Sequence, residues 1–320
     1  MSSIQKSVFV LSGLCVLSAL ASLCFGAVNL DLTAVWSGLF HGGEHYFTIH
    51  EYRLPRIILA VIVGAMLASA GVLIQGVIRN PLASPDILGV SHGAGLAAVV
   101  LMTLFPAVSI YWLPPAALCG GIASAIILAL VCGANVKPVR LAITGVALAA
   151  LYGSAIDFLI LIQPLEVNNA LLWLTGSLWG RSWDQLLMLW PWLLLTPLVV
   201  WLSHALNLLT LGDERALSLG ISVNKVRFGA LFVAVVWTSA AVSVCGPLGF
   251  LGLVAPHLAR QLVGGRHQIL LPTAMLVGAL LLLIADLVAR IIHPPIELPA
   301  GILTAIIGAP YFLYLLLKMR

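Results

Sequence analysis

Two arginines three residues apart, Arg53 and Arg56, stand at the head of an uncharged apolar run over residues 57–78. A guanidinium is permanently charged and presents a planar fork of donors that fits a carboxylate or a phosphate. A spacing of three puts both groups on one side of a helix. Only 8% of the chain is charged, so two cations fixed at the mouth of such a segment are read as a dock for something anionic.

Other groups of residues invite chemical readings. Asp213, Glu214, Arg215, Ala216, Leu217, Leu219 and Gly220 spell a short helix: the acids suit its N-terminal end and Gly220 is placed to close it. With leucines facing out, that helix either fits a groove on a partner or is an amphipathic connector. Asn80, Pro81 and Leu82 open a segment, 79–89, in which Pro81 and Pro85 forbid continuous helix. It reads as a gate or as a tight turn. Thr144 and Gly145 set a hydroxyl and a glycine at one level, which narrows a pore or lets helices approach. Asn168, Asn169, Thr175 and Ser177 lie among tryptophans, as interfacial anchors or as a helix at a pathway mouth.

Isolated acids complete the set. Asp286 precedes Arg290 by one turn, so an i,i+4 pair is expected. Asp157 has no local partner and is the main argument for a proton relay. His41, Glu44, His45, His50 and Glu51 follow no zinc pattern, so an exposed polar loop is the plainer reading and no metal is expected. Most of the five cysteines lie in apolar runs and read as small core residues.

The elements that position these residues must be membrane helices. The chain has 320 residues, is 62% hydrophobic and has a mean hydropathy of +1.13. A water-soluble domain has no use for so much apolar surface. The fold class expected is all-α: a polytopic membrane protein, one domain over 1–320, with about ten spans. They are placed at 8–28, 54–78, 87–104, 114–133, 140–162, 186–206, 227–245, 248–262, 269–290 and 300–317. The eighth is short and rich in Gly and Pro, so a broken or re-entrant element is expected there. With both termini in the cytoplasm, eleven cations, Lys137 and Arg320 among them, fall inside. Arg53, Arg56, Arg181 and Arg290 fall outside, and the short helix within 207–226 lies inside. The net charge of +4 reflects loop bias, and no basic patch points to nucleic acid. The lysines lie in no phosphate-binding Gly-Lys loop. If ATP drives transport, another polypeptide hydrolyses it, and this chain is not itself an enzyme. A proton-coupled carrier acting alone and a scaffold without transport are the rivals from other classes.

These segments together resemble the FecCD family of membrane permeases in ABC importers, which bring iron–siderophore complexes, haem and cobalamin across the bacterial inner membrane. The resemblance spans essentially the full length. It rests on RLPR at 53–56, NPLASPDILG at 80–89, LGDERALSLGI at 211–221, GPLGFLGLVAPHLAR at 246–260 and ELPAGILTAIIGAP at 297–310. The stretches 168–183 and 289–310 resemble the ferric citrate branch in particular, with another siderophore, haem or cobalamin as the alternative cargo. The family implies a BtuC-like fold, a homologous permease subunit or a second copy, two cytoplasmic ATPase subunits using ATP and Mg, and a periplasmic binding protein. It implies no cofactor on this chain. By resemblance, Arg53, Arg56 and Arg290 receive carboxylates of the binding protein and Asp213 to Gly220 is the coupling helix. Asn80 to Leu82 and the Thr144–Gly145 region would be inner gates.

Overall fold

A backbone in lipid has no water to bond, so it closes its hydrogen bonds within helices. The structure, a computed structural model, describes residues 3–133, 138–163 and 167–318, and those residues contain helices and no strand. Lys137 and Arg320, counted above for orientation, lie outside the described residues. In chain order the helices are α1 (Ser3–Cys24), α2 (Leu32–Phe40), α3 (Leu54–Ile78), α4 (Val90–Leu104) and α5 (Leu113–Cys132). Then come α6 (Pro138–Ile162), α7 (Val167–Leu174), α8 (Trp183–Leu193), α9 (Thr196–Leu209) and α10 (Asp213–Ser218). The chain closes with α11 (Val223–Cys245), α12 (Leu251–Val263), α13 (His267–Ile291) and α14 (Ala300–Lys318).

Helices α3 and α11 are buried along most of their length, whereas α1, α5, α6 and α14 leave most of their surface open. Small residues allow the central packing. A methyl group on Gly64 of α3 would lie 2.4 Å from the Gly278 carbonyl oxygen of α13, so only glycine permits that approach.

Each expected span has a helical counterpart, and two of them differ from expectation. Among the described residues seven helices are long and apolar enough to cross a membrane, and the pair α8 and α9, bent by 47°, makes an eighth when counted as one span. Pro191 within α8 and Pro197 at the start of α9 remove the hydrogen bonds that would keep it straight. The third span begins at Val90 rather than 87, because Pro85–Leu88 is a 3-10 turn. At 15 residues, α4 is about 22 Å long, short of a hydrocarbon core of about 30 Å. Helix α12 is shorter still at 13 residues, and it starts after Phe250, whose φ of 67° marks a left-handed break after α11. The first external loop is structured: Asp31 caps α2 through the Ala34 N–H at 2.8 Å, and a π-helical turn over Thr48–Arg53 leads into α3.

Candidate functional site

At one end of the bundle the N-terminus of α3 meets the C-terminus of α13. The expected dock lies here, but its guanidinium groups do not project outward. Arg53, Arg56 and Arg290 are 6%, 7% and 3% exposed. Arg56 Nε donates to both Asp286 oxygens at 2.9 and 3.0 Å, Nη2 lies 2.8 Å from Oδ1, and Nη1 reaches Glu297 at 2.6 Å. Arg290 lies 3.3 Å from Asp286 and donates to the Ser22 carbonyl at 3.3 Å. Arg53 donates to the carbonyls of Leu23 and Val28. Within this chain the three guanidinium groups turn toward acceptors of the fold. A guanidinium at the edge of an apolar helix is held by whatever acceptors the fold supplies, and here α1, α13 and the 292–299 segment supply them. The expected Asp286–Arg290 pair is present, but Arg56 is the closer partner. Glu297, which single-residue reasoning passed over, completes the cluster.

At the opposite end sits α10. Asp213 binds Arg79, at the end of α3, and Arg227 of α11 at 2.9 Å. This fastens the short helix to two long ones. Gly220, at φ 81°, closes it: its N–H donates to Leu217 and that of Ile221 to Ala216, a double cap that calls for a left-handed residue. Ala216 is buried, while Glu214, Arg215, Leu217 and Leu219 are exposed. The leucines thus face away from the bundle, as a groove-filling helix requires.

Beside α10 the 79–89 segment turns as its prolines dictate. Arg79 takes a left-handed φ of 56°, Asn80 Oδ1 accepts from the Leu82 N–H at 2.9 Å, and Pro81 and Leu82 are half-buried. Burial raises the Asp86 carboxyl, opposed by the Ser91 hydroxyl at 2.7 Å. Gly145 meets this turn: a Cβ there would lie 2.1 Å from the Ile87 carbonyl oxygen. The two candidate gate segments, 80–82 and 144–145, thus belong to one packed region, with Thr144 half-buried beside it.

Back at the arginine end, a cavity of about 840 Å³ opens between α4, α5, the start of α8 and the 295–299 segment. Of the expected pathway residues, Asn169 and Ser177 line it, while Asn168 and Thr175 do not. Thr175 instead bonds the Leu172 carbonyl at 2.6 Å, and Gly176 (φ 71°) packs against Pro247 in the break between α11 and α12. Glu297 lines the cavity too, so its wall continues into the arginine cluster. On the same wall is Arg181, which the sequence reading used only to orient the chain. Its Nε is buried without a partner, and burial pushes the guanidinium below its ordinary value. The available signal was a cation on the side where cations are scarce.

Asp157 lies on the exposed side of α6. Among the described residues no group of three His, Cys, Asp or Glu converges on a metal position.

A model of the FecCD transport family matches residues 14–318. Over 303 residues the sequence is 54% identical to the Fe(3+) dicitrate transport system permease protein FecD of Escherichia coli, covering 94% of this chain and 95% of that one. Over 315 residues it is 47% identical to the Fe(3+)-citrate import system permease protein YfmE of Bacillus subtilis, covering 97% and 94%. A solved structure, described as an inward-facing conformation of a metal-chelate type ABC transporter, superposes with a TM-score of 0.86 at 34% identity, covering 98% of this chain and 99% of that one.

Proposed function

This chain belongs to the FecCD transport family, and from that premise we propose that it is the membrane permease subunit of a binding-protein-dependent ABC importer for iron(III) chelates, with ferric citrate as cargo. The observation that carries the reading is the near-full-length identity to a permease named for ferric dicitrate. The chain is a multi-pass protein of the inner membrane, with the arginine end toward the periplasm and α10 and both termini toward the cytoplasm.

Two ATPase subunits bind beneath, consuming ATP and Mg, and a homologous permease or a second copy lies alongside. The open sides of α6 and α14 leave room for that neighbour. The Asp213 clamp supports α10 as a lever: its leucines seat in the ATPase, and Arg79 and Arg227 pass the motion to α3 and α11. The region where 80–82 meets Gly145 is the inner gate. Docking of the binding protein falls to Arg53, because the arginine cluster holds three cations against two carboxylates and Arg53 is the one bonded only to carbonyls. An incoming carboxylate completes its charge balance, while Arg56 and Arg290 organise the seat. The cargo moves because the states of the cycle differ in affinity for it.

The test is reconstitution in liposomes. With the neighbouring permease, the ATPase and the binding protein present, ATP-dependent uptake of ferric citrate is expected. Uptake by this chain alone, or none by the full set, overturns the reading.

A further inference from the structure

We propose that Arg181 receives a carboxylate of the anionic chelate, making the 840 Å³ cavity a cargo subsite within this subunit. The inference rests on the importer reading and adds to it the residue that recognises the cargo's charge. The volume falls within the range of about 300–1,000 Å³ typical of small-molecule sites.

Arg181 stands apart from the buried arginines of the fold. The buried arginines Arg53, Arg56, Arg227 and Arg290 all bond to carboxylates or carbonyls. No hydrogen bond or ion pair joins the Arg181 guanidinium to any described residue. Arg181 is half-buried, with its Nε enclosed and unpartnered; a cation drawn partly out of water without a counter-charge is costly, and a ligand entering the cavity supplies the missing charge.

The wall around it favours an anion. Trp173 Nε1 is a second buried donor without a partner. Ser177 adds a hydroxyl nearby. Of the two acids on the wall, Glu297 is neutralised by Arg56, and Asp184 is exposed with no ion pair to Arg181. The rim carries the exposed rings of Tyr111 and Trp179, 66% and 67% open. A metal held by polycarboxylate ligands keeps ionised oxygens on its surface, and the planar fork of Arg181 matches one such group in a bidentate pair. A single cation binds such a complex and still lets it go.

The test uses the assembled importer in nanodiscs, with ferric dicitrate as the probe. Quenching of the cavity tryptophans gives the half-saturating concentration, and liposome uptake is measured in parallel. Arg181→Gln is expected to raise that concentration about tenfold or more, the worth of a charged hydrogen bond. Ser182→Asp keeps a good helix cap for α8 but places a competing carboxylate beside Arg181, and the same direction is expected. Wild-type half-saturation in Arg181→Gln overturns the proposal. If that variant fails to co-purify with its partners, Ser182→Asp decides alone, and unchanged half-saturation there overturns it. Lipid headgroups carry the same anionic oxygens, so the titration is run in phosphatidylcholine and in phosphatidylglycerol. Equal constants assign the site to cargo; loss of quenching in phosphatidylglycerol assigns Arg181 to a headgroup and overturns the proposal. Absence of uptake by the wild-type importer is a separate outcome, which removes the importer reading itself.

Discussion

Asp286 and Asp213 each hold two arginines, at opposite ends of the same bundle, and the surroundings of the two junctions differ sharply. Around Asp286 the side chains of Arg56 and Arg290 are 9% and 4% exposed and the carboxylate 3%. Around Asp213 the carboxylate is 43% exposed and Arg79 33%, with only Arg227 buried at 6%. The same ion chemistry has different consequences at each end. In a dry seam, removing one partner strands the others. In a wet one, water takes its place and the pair adds little to stability. The first arrangement suits helices that hold one register. The second suits a short helix kept in position by direction rather than by strength.

The largest expected effect comes from breaking the dry junction. Asp286→Asn leaves Arg56 with Glu297 alone and Arg290 with a carbonyl, and is expected to cost about 3–5 kcal/mol. Unfolding of the purified chain in detergent, followed by tryptophan fluorescence, measures it. A loss no larger than that of Asp213→Asn would erase the distinction between the two ends. Charge reversal at Arg56 belongs to the same class, since Arg56→Glu adds a third carboxylate to a buried group of two.

This contrast marks where the sequence was legible. The helices, the proline-set turn at 79–89 and the Gly220 cap followed from local rules, because proline geometry and left-handed glycine act within a few residues. The sense of the arginines did not. RLPR shows two cations on one helix side, but the acceptors of Arg56, Asp286 and Glu297, come from 230 and 241 residues away and those of Arg53 from 30 and 25, and nothing local fixes which way the guanidinium groups turn. The bend between α8 and α9 was missed although Pro191 and Pro197 signal it, because uninterrupted hydropathy masked the break. Arg181 escaped for the converse reason: its distinguishing property is a partner it lacks, and that is visible only once all other residues are placed.

A smaller effect is expected from a contact without charge at the α10 end. Gly145→Val pushes two methyl groups toward the Ile87 carbonyl and separates α6 from the 85–88 turn. Overpacking of this kind costs about 1–3 kcal/mol, and uptake in the reconstituted importer is expected to fall with it. Unchanged uptake and stability would mean that the proposed gate region tolerates separation, and the α10 end would then be loose in packing as well as in charge.

Arg53→Gln sharpens the comparison from within the dry end. The shorter amide serves at most one of the two carbonyls, so a modest loss of stability of about 1 kcal/mol is expected. Docking of the binding protein is expected to weaken about tenfold, the worth of one charged hydrogen bond, as read by surface plasmon resonance on the nanodisc complex. Wild-type docking would remove Arg53 from the interface.

A small effect on stability, and the result most informative for mechanism, is expected from Asp213→Asn. Asp213 and Arg79 lie open to water and an exposed ion pair is worth up to about 1 kcal/mol, so the variant should cost less than Asp286→Asn, with the buried Arg227 carrying most of the loss. At 1 M salt the Debye length is about 3 Å, so the exposed part of that loss should shrink, whereas the cost of Asp286→Asn should persist. Yet α10 loses the group that ties it to α3 and α11 together, so under the proposed lever its motion is expected no longer to reach the proposed gate. The ratio of ATP hydrolysed to ferric citrate imported is expected to rise several-fold while assembly with the ATPase is kept, because the exposed Leu217 and Leu219 that would seat in it are untouched. A ratio equal to wild type would show that the lever is carried by packing around Ala216 rather than by its ion pairs, and the junction would then be a passive tether.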